Sequence, residues 1–178
     1  MNSTLRQSLL IFLTSILTLP VFSQNVEVVG NRMVELMNES RAVDSIKPLV
    51  LNPYLNEAAK IQAEFLNTLN FDSRRFSHKN PNPQFLEPYD RVKYVLSSHN
   101  YTGEVIATGE NITFEYTKNL TDDEIAFSVH QRFMKSPGHR LNIMSSGVHV
   151  DYQMGYYIIL NPKQYKLTVV QVFMLAIE

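Results

Sequence analysis

The stretch from Val148 to Ile177 constrains this chain most, because its apolar residues alternate. Val148, Val150, Tyr152, Met154, Tyr156 and Ile158 recur at every second position. Leu167, Val169, Gln171, Phe173, Leu175 and Ile177 resume the pattern after Asn161-Pro162-Lys163-Gln164. A period of two marks a strand that packs one face, and a short Pro-containing break between two such runs fits a turn. The spacing therefore predicts an antiparallel hairpin whose apolar face needs a cover.

The upstream sequence supplies helices for that cover. Gln24 to about Ser40 reads as a first helix with Val28, Met33, Leu36 and Met37 inward, weakened by Gly30. A second opens with Asn52 as cap and Pro53 at the first helical position. Its Leu55, Ala58, Ala59, Gln62, Phe65, Leu66 and Leu69 share one face, with Gln62 expected at the edge of the stripe. From Asn70 to Pro88 the period vanishes, and Asn80-Pro81-Asn82-Pro83 forbids continuous helix or central strand, which leaves an ordered loop or a mobile lid. A short helical piece follows at Tyr89 to Val95, then a strand near Tyr101 to Ile112. Thr121-Asp122-Asp123-Glu124 has the form of a capping box ahead of Ile125, Val129, Arg132 and Phe133, the third clear helix. Helices first and strands last make an α+β domain.

Composition narrows the setting. Residues 1–23 have the form of a signal peptide: Arg6 precedes an apolar run from Leu9 to Leu19, Pro20 ends it, and Val21-Phe22-Ser23 suits cleavage before Gln24. That run is shorter than the roughly 20 apolar residues a membrane span requires. The reading is a domain over residues 24–178, secreted to an extracellular or periplasmic space, with no transmembrane segment in its mature form. Of the 16 basic residues only Arg6 falls in the leader, which leaves 15 against 17 acidic ones. Such a balance offers no basic stripe for phosphate backbones, so a nucleic-acid partner is not expected. Cysteine is absent, which excludes thiol catalysis, thiolate metal sites and disulfide stapling. The fold rests on packing, for which 44% apolar residues are ample.

Four segments in order resemble the CAP superfamily (cysteine-rich secretory proteins, antigen 5 and pathogenesis-related proteins) in its cysteine-free bacterial form. They are Glu35-Leu36-Met37-Asn38-Glu39-Ser40-Arg41 with Lys47-Pro48-Leu49-Val50-Leu51-Asn52-Pro53 and Ala58-Ala59; Phe76-Ser77-His78; Gly109-Glu110-Asn111-Ile112; and Phe133 through Met144. The resemblance implies a three-layer α-β-α sandwich around a central antiparallel sheet. It also implies that His78, Glu110 and His139 share a polar cleft. Two departures stand out. Phe133 occupies a place where the family usually has Trp, and Ser136 stands where many eukaryotic relatives have a second cleft glutamate.

Two imidazoles and a carboxylate suit a divalent transition metal, zinc above all, so His78 and His139 become candidate metal ligands with Glu110 nearby. Their separations of 32 and 29 positions form no local metal motif; only the resemblance unites them. A bland reading stands beside this one. His139 follows Ser136-Pro137-Gly138, a helix start that its imidazole alternatively only bonds, and Glu110 alternatively holds backbone amides around Asn111. Ser77 and Ser136 lack a nucleophile elbow, so no catalytic residue is assigned. His99, His130 and His149 read as surface or rim residues, and Met33, Met37, Met134 and Met144 as core filler. Asn38, Asn100, Asn111 and Asn119 open Asn-x-Ser/Thr triplets, for which the bacterial type of the chain makes glycosylation unexpected. The expected function is a secreted binding module whose ligand is a lipid, a peptide or a cell-envelope component. The alternatives are a hydrolase using metal-bound water or Glu110 as base, and a structural extracellular domain.

Overall fold

The computed structural model describes residues 24–69, 76–147 and 150–177. The expected signal peptide, His149 and Val148 lie outside those residues. Five helices of eight or more residues and four strands are described: α1 (Val26–Val43), β1 (Val50–Leu51), α2 (Pro53–Thr68), α3 (Pro88–Ser98), β2 (Glu104–Tyr116), α4 (Asp122–Lys135), α5 (Pro137–Met144), β3 (Tyr152–Asn161) and β4 (Lys166–Ile177). A 3₁₀ turn at Pro83–Phe85 precedes α3.

Local chemistry sets the helix starts. The Asn25 side chain accepts from the N–H groups of Glu27 and Val28, and that of Asn52 from Tyr54, each satisfying amides without an intrahelical partner. Thr121 and Glu124 form the expected reciprocal box at α4, and Glu87 with Asp90 forms another at α3. Gly30 does not interrupt α1, which runs on to Val43. A Cβ at Gly30 would overlap the Tyr156 ring, so glycine here permits close helix-to-sheet contact.

The sheet order is β1-β3-β4-β2. β3 and β4 form the predicted hairpin from Tyr152↔Leu175 to Asn161↔Lys166, and β2 pairs antiparallel with the other side of β4. The two-residue β1, which has no periodicity to betray it, adds a parallel edge on β3. Alternation implies one packed face, yet both faces are covered. Met154, Leu167, Val169 and Phe173 pack under α1, α4 and α5, while Val170, Val172, Met174 and Ala176 pack under α2 and α3. The physical reason is that β4 is apolar at nearly every position, as a central strand between two layers must be. This is an α+β, α-β-α sandwich.

Two polar residues are corrected inward. Gln62 is fully buried and not at a stripe edge. Its amide donates to the Ser77 carbonyl at 2.8 Å and accepts from the Asn80 amide at 3.2 Å, so burial is matched by hydrogen bonds. His130 is 3% exposed and not a surface residue. It faces α1, where its Nε2 lies 3.0 Å from Ser40 Oγ. His99 does lie at the surface, stacked on Tyr54 at 4.5 Å and 3.0 Å from a Glu57 oxygen.

Candidate functional site

Glu110 and Asn111 are neighbours on β2, so their side chains leave opposite faces of the sheet. That parity builds the cleft, because each face anchors a different wall. On the α3 face Glu110 is sealed, with its side chain 1% exposed. Its Oε2 accepts from Arg91 Nη2 at 2.6 Å, and its Oε1 lies 2.9 Å from His78 Nδ1. Arg91 is itself fully buried. Its guanidinium also donates to the carbonyls of Phe85 at 2.7 Å and His78 at 3.2 Å, so one cation fixes both the carboxylate and the loop that carries His78. Gln62 and Asn80 brace that loop from below.

On the other face the link is uncharged. Asn142 of α5 donates to Asn111 Oδ1 at 2.8 Å and to the Glu110 carbonyl at 3.2 Å. Asn111 donates in turn to the His139 carbonyl at 3.2 Å and to Gln171 Oε1 at 3.1 Å. The chain ends where Gln171 Nε2 meets the Met33 and Met37 sulfurs at 3.5 and 3.4 Å. Gly109 makes room for it, since a Cβ there would stand 2.5 Å from Asn142 Oδ1.

The two imidazoles thus meet across the cleft with ring centroids 6.5 Å apart. Phe76, Ile112, Thr113 and Phe114 complete a hollow of about 370 Å³. His78 is 44% exposed at its side chain, and its Nδ1 bond to a carboxylate makes that nitrogen the donor and leaves Nε2 with the lone pair. His139 rests edge-on against the buried Phe133 ring at 5.2 Å. Its Nδ1 is buried without a hydrogen-bond partner. Burial, and secondarily the neighbouring His78, push the His139 pKa below the usual imidazole range.

The donor set admits a metal only in part. Among the described residues no three His, Cys, Asp or Glu side chains converge as a metal cage. Glu110 has both oxygens engaged and is not available as a first ligand. The two imidazoles, each with Nδ1 turned away or sealed, have Nε2 as the nitrogen left for a ligand, and a carboxylate behind a ligating histidine is the usual supporting arrangement. Ser136, half-buried between α4 and α5, makes no side-chain cap bond and adds no charge. Ser77 Oγ accepts the Lys79 N–H at 3.1 Å, a local turn bond of the loop that carries His78.

Arg91, Asn142 and Gln171 build the walls of the cleft, and pattern reading did not place them there. A signal existed for Arg91: it sits in phase with Val92, Val95 and Leu96 on the inward face of α3, where an exposed arginine has no place. Nothing local announces Asn142 or Gln171, whose partners lie 31 and 60 positions away.

Comparison with known proteins agrees with this architecture. Residues 34–173 match the family described as "CAP: Cysteine-rich secretory protein family". The chain is 27% identical over 121 residues to the uncharacterized protein YkwD of Bacillus subtilis, covering 68% of this chain and only 40% of that relative's length. Its fold is similar to an outer surface protein from Borrelia burgdorferi, with TM-score 0.61, 17% identity, and coverage of 84% of this chain and 94% of the other. It is also similar to an extracellular protein containing an SCP domain from Bacillus anthracis, with TM-score 0.53, 19% identity, and coverage of 81% and 39%. Among the described residues no helix is long and apolar enough to cross a membrane. With the family pattern spanning both walls of the cleft and all but the edges of the sandwich, this chain belongs to the cysteine-rich secretory protein (CAP) family.

Proposed function

We propose that the protein is a secreted binding module whose cleft recognises a peptide, lipid or cell-envelope ligand, with His78 and His139 able to hold a divalent metal, zinc by preference. The observation that carries this reading is the engagement of Glu110. A general base needs a free lone pair within reach of substrate, and both Glu110 oxygens are taken, behind His78 and out of solvent. Such a carboxylate orients an imidazole, which favours recognition over Glu-dependent hydrolysis. Zinc held by two imidazoles keeps coordination positions for a ligand group or water, and there it would act as a Lewis acid toward an oxygen donor. In this role His78 offers Nε2, Glu110 and Arg91 fix its ring, and the Asn111–Asn142 link fixes the backbone of His139.

Isothermal titration of the purified protein with zinc tests the metal claim. The wild type is expected to bind, and the His78→Ala/His139→Ala double variant to lose binding while keeping its unfolding transition. Glu110→Gln is expected to weaken zinc by about 10–100-fold, the usual effect of losing a supporting carboxylate. Identical isotherms for wild type and double variant would remove the metal from the proposal.

A further inference from the structure

The hydrogen-bond phase of the sheet leaves one backbone position open in the cleft. β2 is an outer strand bonded only to β4. In an antiparallel ladder a residue turns its N–H and C=O to the same side, and successive residues alternate sides. The phase can be followed from the far edge. Asn52 N–H donates to the Met154 carbonyl, and Tyr156 N–H donates to Asn56 Oδ1, so the even-numbered residues of β3 face away from β4. The odd ones bond to β4, where Gly155 opposes Val172 and Tyr157 opposes Val170. The odd residues of β4 are left for β2, where Gln171 opposes Asn111 and Val169 opposes Thr113. Asn111 and Thr113 therefore bond inward, and Glu110, Ile112, Phe114 and Tyr116 turn their backbone groups outward.

Two rim contacts agree with that phase. Asn142 Nδ2 reaches the outward Glu110 carbonyl at 3.2 Å, and Glu115 Oε1 takes the outward Tyr116 N–H at 3.0 Å. Ile112 lies between these clamps and lines the hollow, and no described side chain bonds its N–H or C=O. The sheet's irregularity lies elsewhere, between Val105 and Ala107. Around Ile112 itself the rim carries no proline and no bulge, and an edge position left unpaired in this way invites another strand.

The flanks of this rim differ in chemistry. One carries the Phe76 and Phe114 rings, edge to face at 5.6 Å. On the other, Phe127, Ser128, Gln131, Arg132 and Lys135 of α4 surround a second hollow of about 430 Å³. Arg132 joins the two, with its guanidinium 5.8 Å from the Phe114 ring centre and 2.9 Å from Glu115 Oε2. Lys135 and Arg140 are exposed and make no ion pair among the described residues. A strand laid along Ile112 would point alternate side chains toward the aromatic flank and toward the cationic one.

We propose that the outer rim of β2 at Ile112 takes an extended acidic peptide segment by strand addition. Its main chain pairs with the Ile112 N–H and C=O, its apolar side chains rest on Phe76 and Phe114, and its carboxylates face Arg132 and Lys135. This deepens the binding reading above, resting on the cleft as a recognition site but not on a metal.

The test uses a fluorescein-labelled peptide alternating glutamate with phenylalanine, read by anisotropy, and its lysine counterpart. The acidic peptide binds and the basic one is weaker by about tenfold or more, since like charges would face each other. Methylating alternate amide nitrogens of the probe abolishes binding for one set and is tolerated for the other, and the Ile112 amide exchanges more slowly in the complex. Lys135→Glu weakens the acidic probe. Equal binding by both methylated sets, or unchanged exchange at Ile112, overturns strand addition without relying on any variant. Binding to phosphatidylserine vesicles but not to the acidic peptide also overturns it. Zinc titration of the same sample separates the two readings: zinc without peptide removes the strand, and peptide without zinc removes only the metal.

Discussion

The walls that hold the two cleft histidines solve one problem with opposite chemistry. His78 stands on a desolvated ion pair, Arg91 with Glu110, in which both partners are sealed from water. His139 stands on a neutral chain of amides, Asn142 to Asn111 to Gln171. A buried charge is stable only while its counter-charge and hydrogen bonds are all present, so the first wall is an all-or-none device. The amide chain loses one bond at a time. The comparison shows how one strand, by placing unlike residues at adjacent positions, fixes one ring rigidly and leaves the other softer.

The comparison breaks most visibly at Arg91. Arg91→Met leaves the Glu110 carboxylate buried without its cation and is expected to cost about 3–5 kcal/mol in urea unfolding. Arg91→Met/Glu110→Gln should regain part of that loss, because the stranded charge has gone. A single-variant cost of only a few tenths of a kcal/mol would show that water reaches the pair. Asn142→Ala tests the softer wall. It strips a donor from Asn111 Oδ1 and from the Glu110 carbonyl, for about 1–3 kcal/mol. In NMR spectra it should shift the imidazole signals of His139 more than those of His78; equal shifts would mean that the walls are not independent.

How far the sequence reveals this site depends on whether a residue's partner is near or distant along the chain. The hairpin, the α4 capping box and the start of α2 are legible because each rests on contacts within a few positions. An α3 boundary at Val95 falls too early, since Ser97-Ser98-His99 lacks apolar character; the helix runs to Ser98 and its capping residue is His99. His130 occurs four residues after Ala126 and three before Phe133, within the buried face of α4, but its polar type suggests exposure. Gln62 misleads in the same manner. In both, tertiary hydrogen bonds from Ser40 or from the 77–80 loop stabilise what the residue type alone argues against. Family resemblance is what places His78, Glu110 and His139 together, and their spacing alone does not join them. Arg91 explains why they can coexist: the middle residue is a buried anion that needs a cation, and no motif spacing announces which one.

The smallest expected effect is titration of the softer side. Burial pushes the pKa of His130 below its ordinary value, against an opposing pull from Glu39, and burial together with His78 does the same at His139. Both rings have an Nδ1 that is buried without a partner, so the imidazolium formed on protonation would be a desolvated charge with one N–H left unbonded. The sign follows from linkage. An unfolded chain protonates these histidines near pH 6.5 while the folded chain resists, so stability is lost as the pH falls below about 6.5 and stops falling once it passes the lowered folded values. Glu124, whose pKa is lowered by its bonds to Thr121, contributes in a separate window below the usual carboxylate range. Urea midpoints at about pH 7.5, 6.5 and 5.5 should therefore decline for the wild type. His130→Gln and His139→Gln should each flatten the decline, with His130 contributing more because it is the more deeply buried. A decline of unchanged slope in both variants would show that these two buried rings do not carry the acid sensitivity.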